Sequence, residues 1–92
     1  MLRTIITETQ SDQTWTLQGR LCGQWAADLK QKWEETRITR LGRNCVVDLE
    51  DVISVDQTGE NVLLEMAAEG ARLTTSRAYM KYILEALHVA QE

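Results

Sequence analysis

The run Asn44-Cys45-Val46-Val47-Asp48-Leu49-Glu50-Asp51-Val52-Ile53-Ser54-Val55-Asp56-Gln57-Thr58-Gly59 governs the reading of the whole chain. Its first part, 45–49, is a short apolar run with polar boundaries, the pattern of a buried strand. Glu50 and Asp51 read as an acidic turn. The chain then arrives at Asp56-Gln57-Thr58-Gly59, where a helix begins. Asp and Thr are preferred helix N-caps because their oxygens accept the amides left unpaired in the first turn. An aspartate also suits the positive end of the helix dipole, and glycine allows a tight turn or close packing. Such a corner presents backbone N–H groups and a hydroxyl at one exposed point.

Downstream of the corner, 58–69 reads as a helix that Gly70 ends at the C′ position. Gly59, Val62, Leu63, Met66 and Ala67 span one arc of it, and Leu64 and Ala68 widen that arc beyond a one-sided core face. Asn61, Glu65 and Glu69 leave only a narrow polar stripe. Apolar surface around Leu64 is therefore expected to face solvent or a partner, unless a neighbouring helix covers it. Residues 71–75 form a brief strand, and Ser76 is a fair N-cap for a last helix to about His88. The apolar face of that helix is Met80, Ile83, Leu84 and Leu87.

Upstream, 2–8 is rich in Thr and Ile and reads as a strand. A turn over 10–13 leads into Thr14-Trp15-Thr16-Leu17-Gln18, whose alternation is that of a half-buried strand. The two strands pair as a hairpin. A helix over 24–36 follows, with Trp25, Leu29 and Trp33 at i, i+4 and i+8, so both tryptophans are expected in the packing. Arg37, Arg40 and Arg43 mark a basic connector, read as a solvated loop rather than an anion site.

The order is thus strand, strand, helix, strand, helix, strand, helix. Strands that alternate with helices imply parallel pairing through right-handed crossovers, with the first hairpin as an antiparallel addition. The 92 residues form one domain, 1–92, without repeats or linkers, and proline is absent. A hydrophobic content of 43% and a charged content of 26% are ordinary for a globular protein. The net charge of −4 argues against nonspecific nucleic-acid binding. No apolar run reaches the roughly 20 residues that span a bilayer, and the start is too polar for a signal peptide, so a cytoplasmic location is expected. Cys22 and Cys45 lie far apart in apolar settings and read as buried free thiols rather than metal ligands. His88, the only histidine, has no catalytic constellation around it. A Mg²⁺ site on Asp48, Asp51 and Asp56 is disfavoured, because carboxylates in turns are normally solvated. No metal or cofactor is expected.

The stretch from Val46 to Gly59 resembles the core signature of STAS domains, the sulphate-transporter and anti-sigma-factor-antagonist module. In that family a buried strand ends in Asp-Leu, and after a short loop Asp-Ser-Ser-Gly opens a helix. Leu17-Gln18-Gly19-Arg20-Leu21 is similar to the family's second strand and its exit, and Gly70-Ala71-Arg72-Leu73 to the step into the next strand. The resemblance implies a STAS-like (SpoIIAA-like) α/β fold, a mixed sheet with mostly parallel strands in the order β-β-α-β-α-β-α, with the family's final strand reduced or missing. It also implies a noncatalytic regulatory module that docks a protein partner, an anti-sigma factor or switch kinase, through Asp56, Gln57, Thr58 and Gly59 and the helix that follows, including Leu64. An auxiliary STAS subunit of a membrane transport system is the alternative.

Two departures bear on mechanism. The family's phosphorylatable serine follows the Asp, and here that residue is Gln57, which has no hydroxyl. Thr58 stands at the second serine position and is the candidate phosphate acceptor. An acidic residue that often follows the second-strand exit is replaced by Cys22. The resemblance thus implies a corner held in the unphosphorylated, binding-competent state unless Thr58 is used. An enzyme would need a nucleophile with its base, a metal cluster or a phosphate-cradling loop, and none is visible.

Overall fold

The computed structural model of the chain describes residues 1–87, so His88 and the expected end of the last helix lie outside the described residues. The chain forms β1 (Leu2–Glu8), β2 (Asp12–Leu21), α1 (Gly23–Glu35), a 3₁₀ turn (Arg37–Arg40), β3 (Asn44–Val55), α2 (Gln57–Ala68), β4 (Arg72–Thr74) and α3 (Ala78–Ala86). The four strands make one sheet in the order β1-β2-β3-β4. β1 and β2 are antiparallel, while β2–β3 and β3–β4 are parallel. This is the α/β mixed sheet that the alternation of elements implies. Among the described residues no strand follows α3.

The period-2 pattern of the strands selects one face of the sheet for the core. Trp15, Leu17 and Leu21 of β2 join Cys45, Val47, Leu49 and Val52 of β3 and Leu73 of β4. Ala26, Leu29 and Trp33 of α1, Val62, Leu63 and Met66 of α2, and Met80, Ile83 and Leu84 of α3 complete the same cluster. From β1, Leu2 and Ile6 pack against it. The alternate residues, among them Ile5, Thr14, Thr16, Gln18 and Val46, stand on the opposite face and take no part in the core.

β3 differs most from expectation. It runs unbroken to Val55, so the acidic turn at Glu50-Asp51 does not exist. The register against β2 slips between Thr16 and Gln18 and again between Gly19 and Arg20, each time by one extra residue in β3. These are β-bulges, which bend a strand and re-aim its side chains without ending it. The Asp48 carboxylate accepts from the Glu50 amide at 2.9 Å inside the first bulge, which satisfies a donor that the ladder has released. Polar residues in mid-strand are thereby tolerated.

Three smaller readings are also corrected. Trp25 is 43% exposed, whereas Trp33 is fully buried. The buried arc of α1 is centred on Ala26, Leu29 and Trp33, which leaves Trp25 at its margin. Cys22 is half-buried rather than buried, and only Cys45 is a core thiol. Ser76 does not cap α3, whose N-cap is Arg77 without a side-chain bond. The Ser76 hydroxyl and amide both donate to the bulged Glu50, the amide at 2.9 Å.

The basic connector is a tertiary clamp, not a solvated loop. Arg40 lies over the Trp33 ring at 3.5 Å, donates to the Trp33 carbonyl at 2.7 Å and reaches Glu69 at 3.6 Å. Arg37 meets the same Glu69 carboxylate at 3.5 Å. Arg43 pairs with Glu8 at 3.5 Å and donates to the Thr9 carbonyl at 2.9 Å. The segment between α1 and β3 is thus tied to the end of α2 and to the first hairpin. Gln13, assigned to a turn by its polarity, is buried and accepts from the Trp15 indole at 2.6 Å while donating to Thr39 at 2.9 Å.

Candidate functional site

The corner predicted to carry function is a junction between two helices. Asp56 is the N-cap of α2 and accepts the Gly59 amide on Oδ1 at 2.8 Å. Its Oδ2 accepts the amide of Gly23, the first residue of α1, also at 2.8 Å. Gly23 adopts φ +52°, a left-handed conformation that glycine enters without steric cost and that presents its amide to Asp56. The two hydrogen bonds, to Gly59 first and Gly23 second, hold the Asp56 carboxyl below the usual aspartate range. One carboxylate therefore serves the N-termini of two helices, with each oxygen engaged by one backbone amide.

Gly59 is fixed by space rather than by backbone angle. A Cβ there would lie 2.1 Å from the Leu21 carbonyl oxygen and 2.9 Å from Val55 Cγ1. α2 consequently seats its first turn directly on the ends of β2 and β3. The Cys22 thiol, one residue beyond Leu21, is 3.5 Å from the Ser54 hydroxyl behind the same junction.

The remaining corner residues face outward. Gln57 is exposed and donates to Asn61 Oδ1 at 3.1 Å. Asn61 and Leu64 follow at i+4 and i+7, and Ala68 at i+11, so Gln57, Asn61, Leu64 and Ala68 form one exposed stripe along α2. Leu64 is 38% exposed and lies outside the buried core cluster. Thr58, also exposed, lies on the next stripe. It borders a shallow groove of about 280 Å³ between α1 and α2, with Ala27, Lys30, Asn61, Val62 and Glu65. Lys30 and Glu65 face each other across that groove at 4.0 Å.

The sequence-predicted set thus divides. Asp56 and Gly59 build the junction, Gln57 and Leu64 share the exposed stripe, and Thr58 faces the inter-helix groove. Sequence reading put Ala68 with Leu64 in the widened arc and Asn61 in the polar stripe, but did not join either to Gln57, although the i+4 and i+11 spacing was legible. It also missed Lys30 and Gly23, which reach the site only through the packing of α1 on α2.

The geometry defines a SpoIIAA-like α/β module with a strand-to-helix corner. A solved structure of an uncharacterized DUF3478-family protein with a SpoIIAA-like fold, from Shewanella loihica PV-4, superposes with a TM-score of 0.56. It shares 9% sequence identity over 99% of this chain and 81% of that chain, a likeness of fold alone. By sequence, the model of the LytTr DNA-binding domain matches residues 6–88, and the chain belongs to that family. The resemblance to STAS domains therefore holds for the fold, while family membership is LytTR. No curated protein matches the sequence. Among the described residues no helix is long and apolar enough to cross a membrane.

Proposed function

We propose that this chain is a noncatalytic protein-binding module whose docking surface is the exposed α2 stripe beginning at the Asp56-Gln57-Thr58-Gly59 corner. The observation that carries the reading is Leu64, a large apolar residue left 38% exposed in line with Gln57. The stripe mixes two amides with an apolar centre, a composition suited to a partner surface that is itself partly apolar. The Asp56 junction makes the platform rigid, because both helices that frame it are anchored to one side chain. Gln57 cannot take phosphate, so the surface is constitutively neutral at its first position. Thr58, in the groove beside Lys30, remains the residue through which a phosphate would act, by adding about −1.5 to −2 charges next to a lysine and a helix N-terminus. The partner of this reading is an anti-sigma factor or switch kinase, which the STAS-like sequence of the corner supports, with a transport complex as the alternative.

The test is a photo-reactive residue placed at Gln57 or, as a control, at Gln31 on α1. The same protein should be trapped from position 57 and not from 31, and Leu64→Asp should abolish the product. Equal trapping from both positions defeats the reading.

The family match favours a second reading, contact with DNA. The sheet face opposite the core carries Arg3, Arg20 and Arg72, yet Asp12, Asp48 and Asp51 stand among them. With a net charge of −4, phosphate contacts would have to be local. Fluorescence anisotropy with duplex DNA at low salt separates the readings. Binding with a steep salt slope that Arg3→Ala and Arg20→Ala reduce would replace docking on α2.

A further inference from the structure

β1 is one edge of the sheet, and among the described residues no strand pairs with its outer side. Its register with β2 tells which backbone groups remain there. The Thr9 amide donates to the Asp12 carbonyl at 2.8 Å, and the Arg20 amide to the Met1 carbonyl at 2.9 Å. In the same register Arg3 faces Gln18, Ile5 faces Thr16 and Thr7 faces Thr14, so the odd residues of β1 hold the hydrogen bonds to β2. The amides and carbonyls of Leu2, Thr4, Ile6 and Glu8 point away from the sheet, ready to pair.

Natural edges are normally blunted by charged side chains, Pro, bulges or short length. β1 carries charges only toward its ends, at Arg3 and Glu8, and has no Pro or bulge. It is 7 residues long, pairs with β2 without a register shift, and places Thr4-Ile5-Ile6-Thr7 at its centre, four β-branched residues. β4, the other edge, has only 3 residues. Beside β1 on the helix side lies a groove of about 170 Å³, lined by Leu2, Thr4, Trp25, Asp28, Leu29 and Lys32. Trp25, 43% exposed, therefore sits next to the same open edge.

We infer that β1 pairs antiparallel with β1 of a second copy, joining two sheets into one continuous sheet across a two-fold axis at Ile5. The backbone narrows the register. A continuous sheet must keep each core-side residue opposite a core-side residue, and hydrogen-bonded pairs must fall on residues whose groups are open, which leaves registers that pair even residues with even residues. Of these, the one that places Ile5 opposite Ile5 of the second copy pairs the whole strand, Leu2–Glu8. Thr4 then exchanges hydrogen bonds with Ile6 of the second copy, and Leu2 with Glu8. Arg3 faces Thr7, so no like charges oppose each other, and the groove contributes one charge of each sign, Asp28 and Lys32. Ile5 meets its mate on the face away from the core, as a β-branched cross-strand pair.

Sedimentation equilibrium of the full chain tests this. The wild type is expected to behave as a dimer and Ile5→Lys, which opposes like charges at the axis, to weaken it at least about tenfold with an unchanged circular dichroism spectrum. Ile5 lies off the core, so the fold tolerates the change. The register has its own readout. The Ile5 pair brings two Cα atoms to about 4.5 Å, within disulfide range. In a Cys22→Ser background, Ile5→Cys should cross-link under mild oxidation, whereas Thr7→Cys, opposite Arg3, should not. A monomer at high protein concentration, a dimer indifferent to Ile5→Lys, or cross-linking at position 7 in place of 5 overturns the proposal.

Discussion

Asp56 and Gly23, 33 positions apart in sequence, are joined by a 2.8 Å hydrogen bond that places the start of α1 against the start of α2. The same carboxylate caps its own helix through the Gly59 amide. A negative charge at two helix N-termini is favoured by both dipoles, so the arrangement is one that only an ionised acid satisfies fully.

The pH dependence follows from that. The carboxyl is held below the ordinary aspartate value of 3.8, so its contribution to stability is fully present above that value. It is lost as pH falls through the lower value of the folded state. Glu50, lowered mainly by its hydrogen bonds from Ser76, acts in the same direction. Thermal melts from neutral to strongly acid pH should show Asp56→Asn melting below the wild type at neutral pH. The difference should shrink as the wild-type carboxyl protonates, while the Glu50 contribution falls in both proteins. A constant difference across that range would show that the charge of Asp56 is not what holds the junction.

Gly59→Ala tests packing at the same corner. The added methyl would sit 2.1 Å from the Leu21 carbonyl, and backbone cannot move aside as a flexible side chain can. A loss of about 1–3 kcal/mol in urea unfolding is expected, the usual cost of overpacking. Thr58→Ala, one residue earlier and exposed, should stay within about 0.5 kcal/mol.

Much of the fold was readable because pattern and structure share a period. The alternation of β2, the arc of α2 and the Gly70 stop correspond to buried faces and to the bonds Gly70 N–H to Ala67 and Ala71 N–H to Met66. What was not readable depends on tertiary partners. Glu50 and Asp51 signal a turn until the bulges and Ser76 give them a place in a strand. Gln13 and Arg40 are polar by type, yet one is buried under the Trp15 indole bond and the other against the Trp33 ring. At the site, Asp56 and Gly59 were legible as a cap and a close contact. The second helix that Asp56 holds was not, because Gly23 carries no local signal for it.

The clamp at Arg40 makes a prediction about cysteine chemistry. Burial raises the Cys45 thiol above its ordinary value, with the Arg40 charge opposing that rise only in part. The thiolate is the reactive form, so Cys45 should resist alkylation in the native protein. Peptide mass spectrometry after brief treatment with iodoacetamide should find label on Cys22, which is half-buried, and little on Cys45 until denaturant is added. Comparable native labelling of both would show that the region under Arg40 opens readily.

Arg40→Lys should be costly although it keeps the charge. A lysine has no planar group to lie on Trp33 while donating to the Trp33 carbonyl and reaching Glu69. Desolvated cation–π contacts are worth up to about 2 kcal/mol, and a loss of about 1–2 kcal/mol by chemical denaturation is expected. Arg37→Lys, whose side chain is 63% exposed and meets Glu69 in a surface pair, should change little.

Gln57→Glu separates stability from docking. Position 57 is the first residue of α2, where a carboxylate meets unpaired amides and the positive end of the dipole. The substitution should therefore leave stability unchanged or raise it by about 0.3–1 kcal/mol. On the proposed docking surface it does the opposite, because it puts a permanent charge at the neutral head of the stripe that runs on to Asn61 and Leu64. Partner capture through position 64 should fall, while the melting temperature holds or rises. Leu64→Asp should match it in lost capture, read through position 57, with a stability change within about 0.5 kcal/mol, because Leu64 lies outside the buried core cluster. If capture falls only in variants that also melt lower, the stripe is a structural element of α2 and the docking surface lies elsewhere.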